Sequence, residues 1–162
     1  MADRPPPFPF LLEVSIEAEG WPSHATLQAL AQRAVGAAAA EAGVEGGQAI
    51  GILFADDEAI RSLNARFRGK DKPTNVLSFP APPGAQPPGE PPHLGDIALA
   101  RQTVEREAAA EGKAFEHHLV HLIVHGFLHL AGYDHETDEE AEEMESLERR
   151  ILKGLAIGDP YA

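Results

Sequence analysis

Apolar and polar side chains alternate from Leu11 to Ile16, the period-two pattern of a strand with one buried face. The period then lengthens. Leu27, Leu30, Ala34 and Ala38 recur at helical spacing, with Ser23 placed as an N-cap and Gly43 at the residue after the helix end. The run from Ala49 to Phe54 is short and apolar, bounded by Gly46-Gly47 and Asp56-Asp57, which predicts a buried strand. A second helix follows, capped by Asp56 or Asp57, with Ile60, Leu63 and Phe67 on its core face. Pro73 stops it, and Asn75 to Phe79 and Leu94 to Ala100 read as two further strands. Val104 to Glu111 predicts a helix closed by Gly112. A longer helix covers Phe115 to Ala131, with Leu119, Leu122, Ile123 and Leu130 on its apolar side and Gly132 at its end. Thr137-Asp138-Glu139-Glu140 is a capping-box pattern that opens a last helix, with Met144, Leu147, Ile151 and Leu155 turned inward and a solvated acidic face outward.

Four strands interleaved with about five helices predict an α+β (layered α/β) fold built on a mixed four-stranded sheet. At 162 residues, without internal repeats, one domain over residues 1–162 is expected. Prolines modify the two ends of this picture. Pro5, Pro6, Pro7 and Pro9 predict disorder over residues 1–10, and seven prolines between Pro80 and Pro92 mark residues 80–93 as a loop insertion. The chain has no cysteine, which excludes disulfides, thiolate metal sites and thiol nucleophiles, so any metal must sit on nitrogen or oxygen. No apolar stretch is long enough for a signal peptide or a membrane span, which predicts a soluble, cytoplasmic protein without a membrane partner, expected as a monomer.

A net charge of −13 argues against a polyanionic partner until its distribution is considered. Nine acids and no Lys or Arg lie between Asp134 and Glu148, so the other 147 residues carry only −13 + 9 = −4. Between Arg61 and Lys72 the sign reverses, with Arg61, Arg66, Arg68, Lys70 and Lys72 against Asp71 alone. From charge alone this patch is as well explained by a solvated helix end as by phosphate binding.

Six of the eight histidines fall between His117 and His135. His125 and His129, four apart on a helix, differ by about 40° in azimuth and about 6 Å in rise, so two imidazoles can converge on one ion. Gly132 breaks the helix next to this pair and allows His135 to return to the same ion. His117, His118 and His121 also lie on the histidine ladder but have no such third partner nearby, so His121 is assigned to the core or to supporting a ligand, and His117 and His118 to solvent. Three nitrogen ligands with one position open are the donor set of a catalytic zinc site, one Zn2+ per chain, although a zinc that only staples the turn has the same ligands. The pair is similar to the zinc-protease motif His-Glu-x-x-His, but Gly126 stands where a protease has its general-base glutamate, which argues against peptidase chemistry. Asp134 and Asp96 are the candidates for a substitute carboxylate.

The stretch from His125 to His135, His-Gly-Phe-Leu-His-Leu-Ala-Gly-Tyr-Asp-His, closely resembles the signature of the YbeY family of rRNA maturation factors. Leu63 to Pro80 resembles that family's second block, Leu94-Gly95-Asp96-Ile97 a third, and the acidic helix from Glu139 to Glu148 is also similar. The resemblance implies a single-strand-specific, metal-dependent endoribonuclease acting in maturation of the 16S rRNA 3′ end and in ribosome quality control. It implies His125, His129 and His135 as zinc ligands and Arg68 as the functionally important arginine. Arg68 is then expected to stabilise negative charge on the scissile phosphate, with Lys70, Lys72 and Arg66 binding the RNA backbone. Small-subunit rRNA, and with it a ribosomal protein or an assembly GTPase, are the expected partners. The rival expectation is a non-catalytic assembly factor whose zinc is structural and whose basic patch binds rRNA or a ribosomal protein.

Overall fold

The computed structural model describes residues 8–82, 89 and 91–158. Nine elements follow one another: β1 (Leu11–Ile16), α1 (His24–Ala42), β2 (Ala49–Ala55), α2 (Asp57–Arg68), β3 (Val76–Pro80), β4 (His93–Ala100), α3 (Arg101–Ala110), α4 (Phe115–Leu130) and α5 (Asp138–Gly154). The strands form one mixed sheet in the order β1-β2-β4-β3, with β1, β2 and β4 parallel and β3 antiparallel to β4. The α+β reading of the sequence therefore holds, as a single domain with five helices among the described residues.

The predicted caps are the caps that form. Ser23, Asp56 and Thr137 each accept a hydrogen bond from a backbone N–H three residues on, at Thr26, Ala59 and Glu140, which satisfies one of the donors a helix start leaves open. Helices α1 and α4 cover one face of the sheet, joined by Ile50, Ile52, Phe54, Ile97 and Leu99 in the larger core, and α5 packs against both helices. Helix α2 covers part of the other face through Ile60, which packs with Leu77, Ala98 and Ala100. Helix α4 is the centre of the molecule, with Leu119, Val120, Ile123, Val124, Phe127 and Leu128 all buried.

Three expectations change. Residues 1–7 lie outside the described residues, but order begins before residue 11: Phe10 is only 5% exposed and packs edge-on against Phe127 at 5.9 Å between ring centroids. Phe67 does not join the core. It is 58% exposed, its ring edge-on to Phe79 at 5.5 Å, because α2 overlies only the end of its sheet face. Of the proline-rich stretch, residues 83–88 and 90 lie outside the described residues, while Pro80 belongs to β3, His93 to β4, and the Ala81 N–H donates to the Leu94 carbonyl. No described helix is long and apolar enough to cross a membrane.

Candidate metal centre

A histidine at every fourth position drifts about 40° around a helix per step, so the ladder on α4 winds from one environment to another. His117 is exposed at the start of the helix. His118 is buried at 5%, contrary to its expected solvation, because Glu107 of α3 accepts from its Nε2 at 2.9 Å. His121 faces α5. His125 and His129 reach the far end of α4, where the chain turns through Gly132 at φ +102°, a conformation open to glycine, and brings His135 back beside them.

The ligand atoms of His125, His129 and His135 all lie within 4.8 Å of one another. The Nε2 atoms of His125 and His129 are 3.1 Å apart, near the ~3.3 Å expected between two nitrogens bound at ~2.0–2.1 Å to one tetrahedral zinc. The His135 ring lies 5.0 Å from that of His129 and 5.9 Å from that of His125. Burial, together with the neighbouring imidazoles of His125 and His135, pushes the His129 pKa below its usual value of 6.5, which favours the neutral, metal-binding form. These residues fit a nitrogen-bound metal ion.

A residue the sequence reading passed over supports this set. Glu148, on the helix taken as a solvated acidic face, is fully buried, and its Oε1 accepts from the His125 Nδ1 at 2.7 Å. Its position carried a signal. Glu148 lies four residues after Met144 and three before Ile151, both on the core face of α5, so an acid there had to be buried.

The histidines open onto a cleft of about 630 Å³ whose opposite wall is built by the end of α2, the loop after it and β3. Arg68, Lys70 and Lys72 line this cleft; Arg66 does not, its guanidinium resting 5.2 Å over the Phe67 ring. Arg61 pairs with Asp71 through two hydrogen bonds of 2.8 and 3.1 Å, holding that carboxyl below the usual carboxylate range, so one charge of the patch is matched internally. The lysine loop is fixed from behind. Buried Asn64 donates its Nδ2 to the Lys72 carbonyl at 2.9 Å, and the Lys70 N–H donates to the Asn64 carbonyl. Asn75 donates to Glu107 at 3.0 Å, the same carboxylate that receives His118.

Of the two carboxylates considered for proton transfer, Asp134 lines the cleft and accepts from the His135 N–H at 2.8 Å. Asp96 lies in a groove on the other side of the sheet, hydrogen-bonded to His93 at 3.1 Å. Gly126 is explained by packing. A Cβ there would stand 3.0 Å from Ile97 Cγ2 and 3.2 Å from Ser78 Oγ, so a glutamate at this position would collide with the sheet.

The chain matches the family model described as "Endoribonuclease YbeY" over residues 14–156. It is 61% identical over 153 residues to a Chelativorans protein of that name, covering 94% of each chain. A Rhodopseudomonas palustris protein of the same name is 60% identical over 152 residues, covering 93% of this chain and 80% of the relative. The fold is similar to the solution structure of TM1509 from Thermotoga maritima, with a TM-score of 0.57 at 26% identity, over 90% of this chain and 92% of that one. A family model spanning most of the chain and relatives this similar along most of their length lead to one conclusion: the chain belongs to the YbeY endoribonuclease family.

Proposed function

We propose that this protein is a cytoplasmic, zinc-dependent endoribonuclease that cuts single-stranded rRNA, maturing the 16S rRNA 3′ end and serving ribosome quality control. The observation that carries the proposal is the shared cleft: three convergent imidazoles on one wall and Arg68, Lys70 and Lys72 on the other. The family name borne by the relatives supports endonucleolytic attack on RNA. Zinc held by His125, His129 and His135 would supply a Lewis acid for a phosphoryl oxygen or a water.

The chain's own residues do the rest. Lys70 and Lys72 bind phosphates on either side of the scissile bond as compact, mobile charges. Arg68 spreads a permanent positive charge over a planar fork and meets the charge that develops on the phosphoryl oxygens. Its other anchor is the Ser78 carbonyl, which keeps the fork from collapsing into solvent. Arg66, directed onto Phe67, adds to the field that draws RNA toward α2. A ribosomal protein or an assembly GTPase presents the rRNA end to the cleft.

Mapping rRNA 3′ ends in cells carrying wild type, His129→Ala or Arg68→Glu, with the metal content of each purified protein, tests the proposal. Unprocessed 16S ends in both variants, with zinc lost only in His129→Ala, are expected. Cleavage by highly purified protein that survives both chelation and His129→Ala would overturn it; a melting temperature and RNA binding that fall together on removing His135, with trace RNase activity that does not follow the protein through purification, would favour a scaffold with a structural zinc.

A further inference from the structure

Most acids of α5 sit on its outer face, yet Glu148 is completely buried between α5 and α4. A buried carboxylate is costly unless donors surround it. Both of its oxygens are met by imidazoles one turn apart on α4: His125 Nδ1 at 2.7 Å from Oε1, and His121 Nε2 at 2.8 Å from Oε2. We propose that Glu148 is the positioning residue that holds His125 in its metal-binding tautomer, with His121 as the second donor that locks the carboxylate in place. The proposal rests on the metal reading of the triad.

A carboxylate can only accept, so the His125 Nδ1 must carry the proton that lies between them. The lone pair of the neutral ring is then on Nε2, the nitrogen that faces His129 Nε2 at 3.1 Å. Without Glu148 the neutral imidazole is free to place its proton on Nε2 and to rotate, and either change removes a ligand. The bond from His121 matters for a different reason. It ties the second oxygen, so the carboxylate cannot turn about its own axis, and α5 thereby sets the orientation of a ligand that α4 carries.

His121, His125 and Glu148 also place their ligand atoms within 4.8 Å of one another, which raises a second metal as the competing explanation. The distances argue against it. At 2.7 and 2.8 Å the nitrogen–oxygen separations are those of hydrogen bonds to a charged acceptor, shorter than the ~3.3 Å expected between two ligand atoms on one tetrahedral ion. The trio is therefore a relay behind one metal site.

The test titrates zinc into the full metal-free chain as wild type, Glu148→Gln and His121→Ala, and records melting temperatures with and without zinc. One zinc per wild-type chain is expected, with affinity about 10–100-fold weaker in Glu148→Gln. His121→Ala should weaken it less. The gap between loaded and metal-free melting temperatures should narrow in Glu148→Gln, since stabilisation by a ligand follows its occupancy, whereas a merely structural glutamate would lower both temperatures alike. Wild-type affinity in Glu148→Gln, or two zincs per wild-type chain, would overturn the proposal. If Glu148→Gln does not fold, nitrogen NMR of the zinc-loaded wild type decides: His125 protonated at Nδ1 and ligated through Nε2 supports the relay, and the reverse overturns it. A wild-type chain that takes up no zinc defeats the metal reading itself and the relay with it, an outcome distinct from the others.

Discussion

Arg68 at the end of α2 donates from Nη2 to the Ser78 carbonyl of β3 at 2.7 Å, and its guanidinium stands 5.8 Å from the Phe79 ring. One bond uses one of five N–H donors and fixes the plane in which the others act. Arg68→Ala should therefore lower kcat for single-stranded RNA by about 10²–10³-fold, the range for loss of one preorganised donor to the transition state. Arg68→Lys should not restore it, since an ammonium lacks the fork. Single-turnover cleavage, with a melting temperature close to wild type, checks both.

Lys70 and Lys72 are expected to act on binding and not on chemistry. Replacing both with alanine should raise KM with little change in kcat. Two fewer phosphate contacts should also flatten the dependence of log affinity on log salt by about 1.4, at about 0.7 per contact on a single strand. RNA binding measured across salt concentrations would show this, and an unchanged slope would place these lysines off the RNA path.

Gly126 gives a stability prediction independent of activity. The methyl of Gly126→Ala would press on Ile97 and Ser78, neither of which is the free end of a long side chain. Overpacking of this kind costs about 1–3 kcal/mol, read as a lowered denaturation midpoint at unchanged slope.

Phe10 tests where the ordered chain begins. Phe10→Ala removes a buried ring from against Phe127 and should cost about 3–5 kcal/mol, whereas an unstructured position would tolerate the change. Chemical denaturation of the purified variant distinguishes the two.

His129 sets a pH dependence for the metal-free chain. Its folded pKa lies below the unfolded value near 6.5, mainly through burial, so the unfolded state binds its proton more readily. Stability is then fully present above the unfolded value and is lost as pH falls through the folded one. Melting temperatures of the metal-free protein should decline on acidification below about pH 6.5, and His129→Gln should flatten that decline.

The sequence made the element order, the three helix caps and the His125, His129, His135 constellation readable because each depends on short-range spacing. Helical period groups His125 with His129, the Gly132 turn beside them adds His135, and Ser23, Asp56 and Thr137 act within three residues. What it concealed depends on partners brought from afar. Glu148 sits in an acidic run whose solvated average hides its place on the Met144–Ile151 face, and the imidazoles that meet it belong to another helix. Phe67 has the right period for the core, but whether a sheet face is covered at its level is settled by the length of α2 against the sheet. His118 is buried by Glu107, a residue on another helix, and nothing in the histidine ladder distinguishes it from exposed His117.

The two walls of the cleft come from separate stretches of chain, the cations from residues 68–72 and the imidazoles from residues 125–135. In chain order the cationic wall comes first and the imidazole wall some fifty residues later. Neither stretch makes a cleft alone, so the site exists only where both are folded against each other, and a change in either wall alters the shape met by the other.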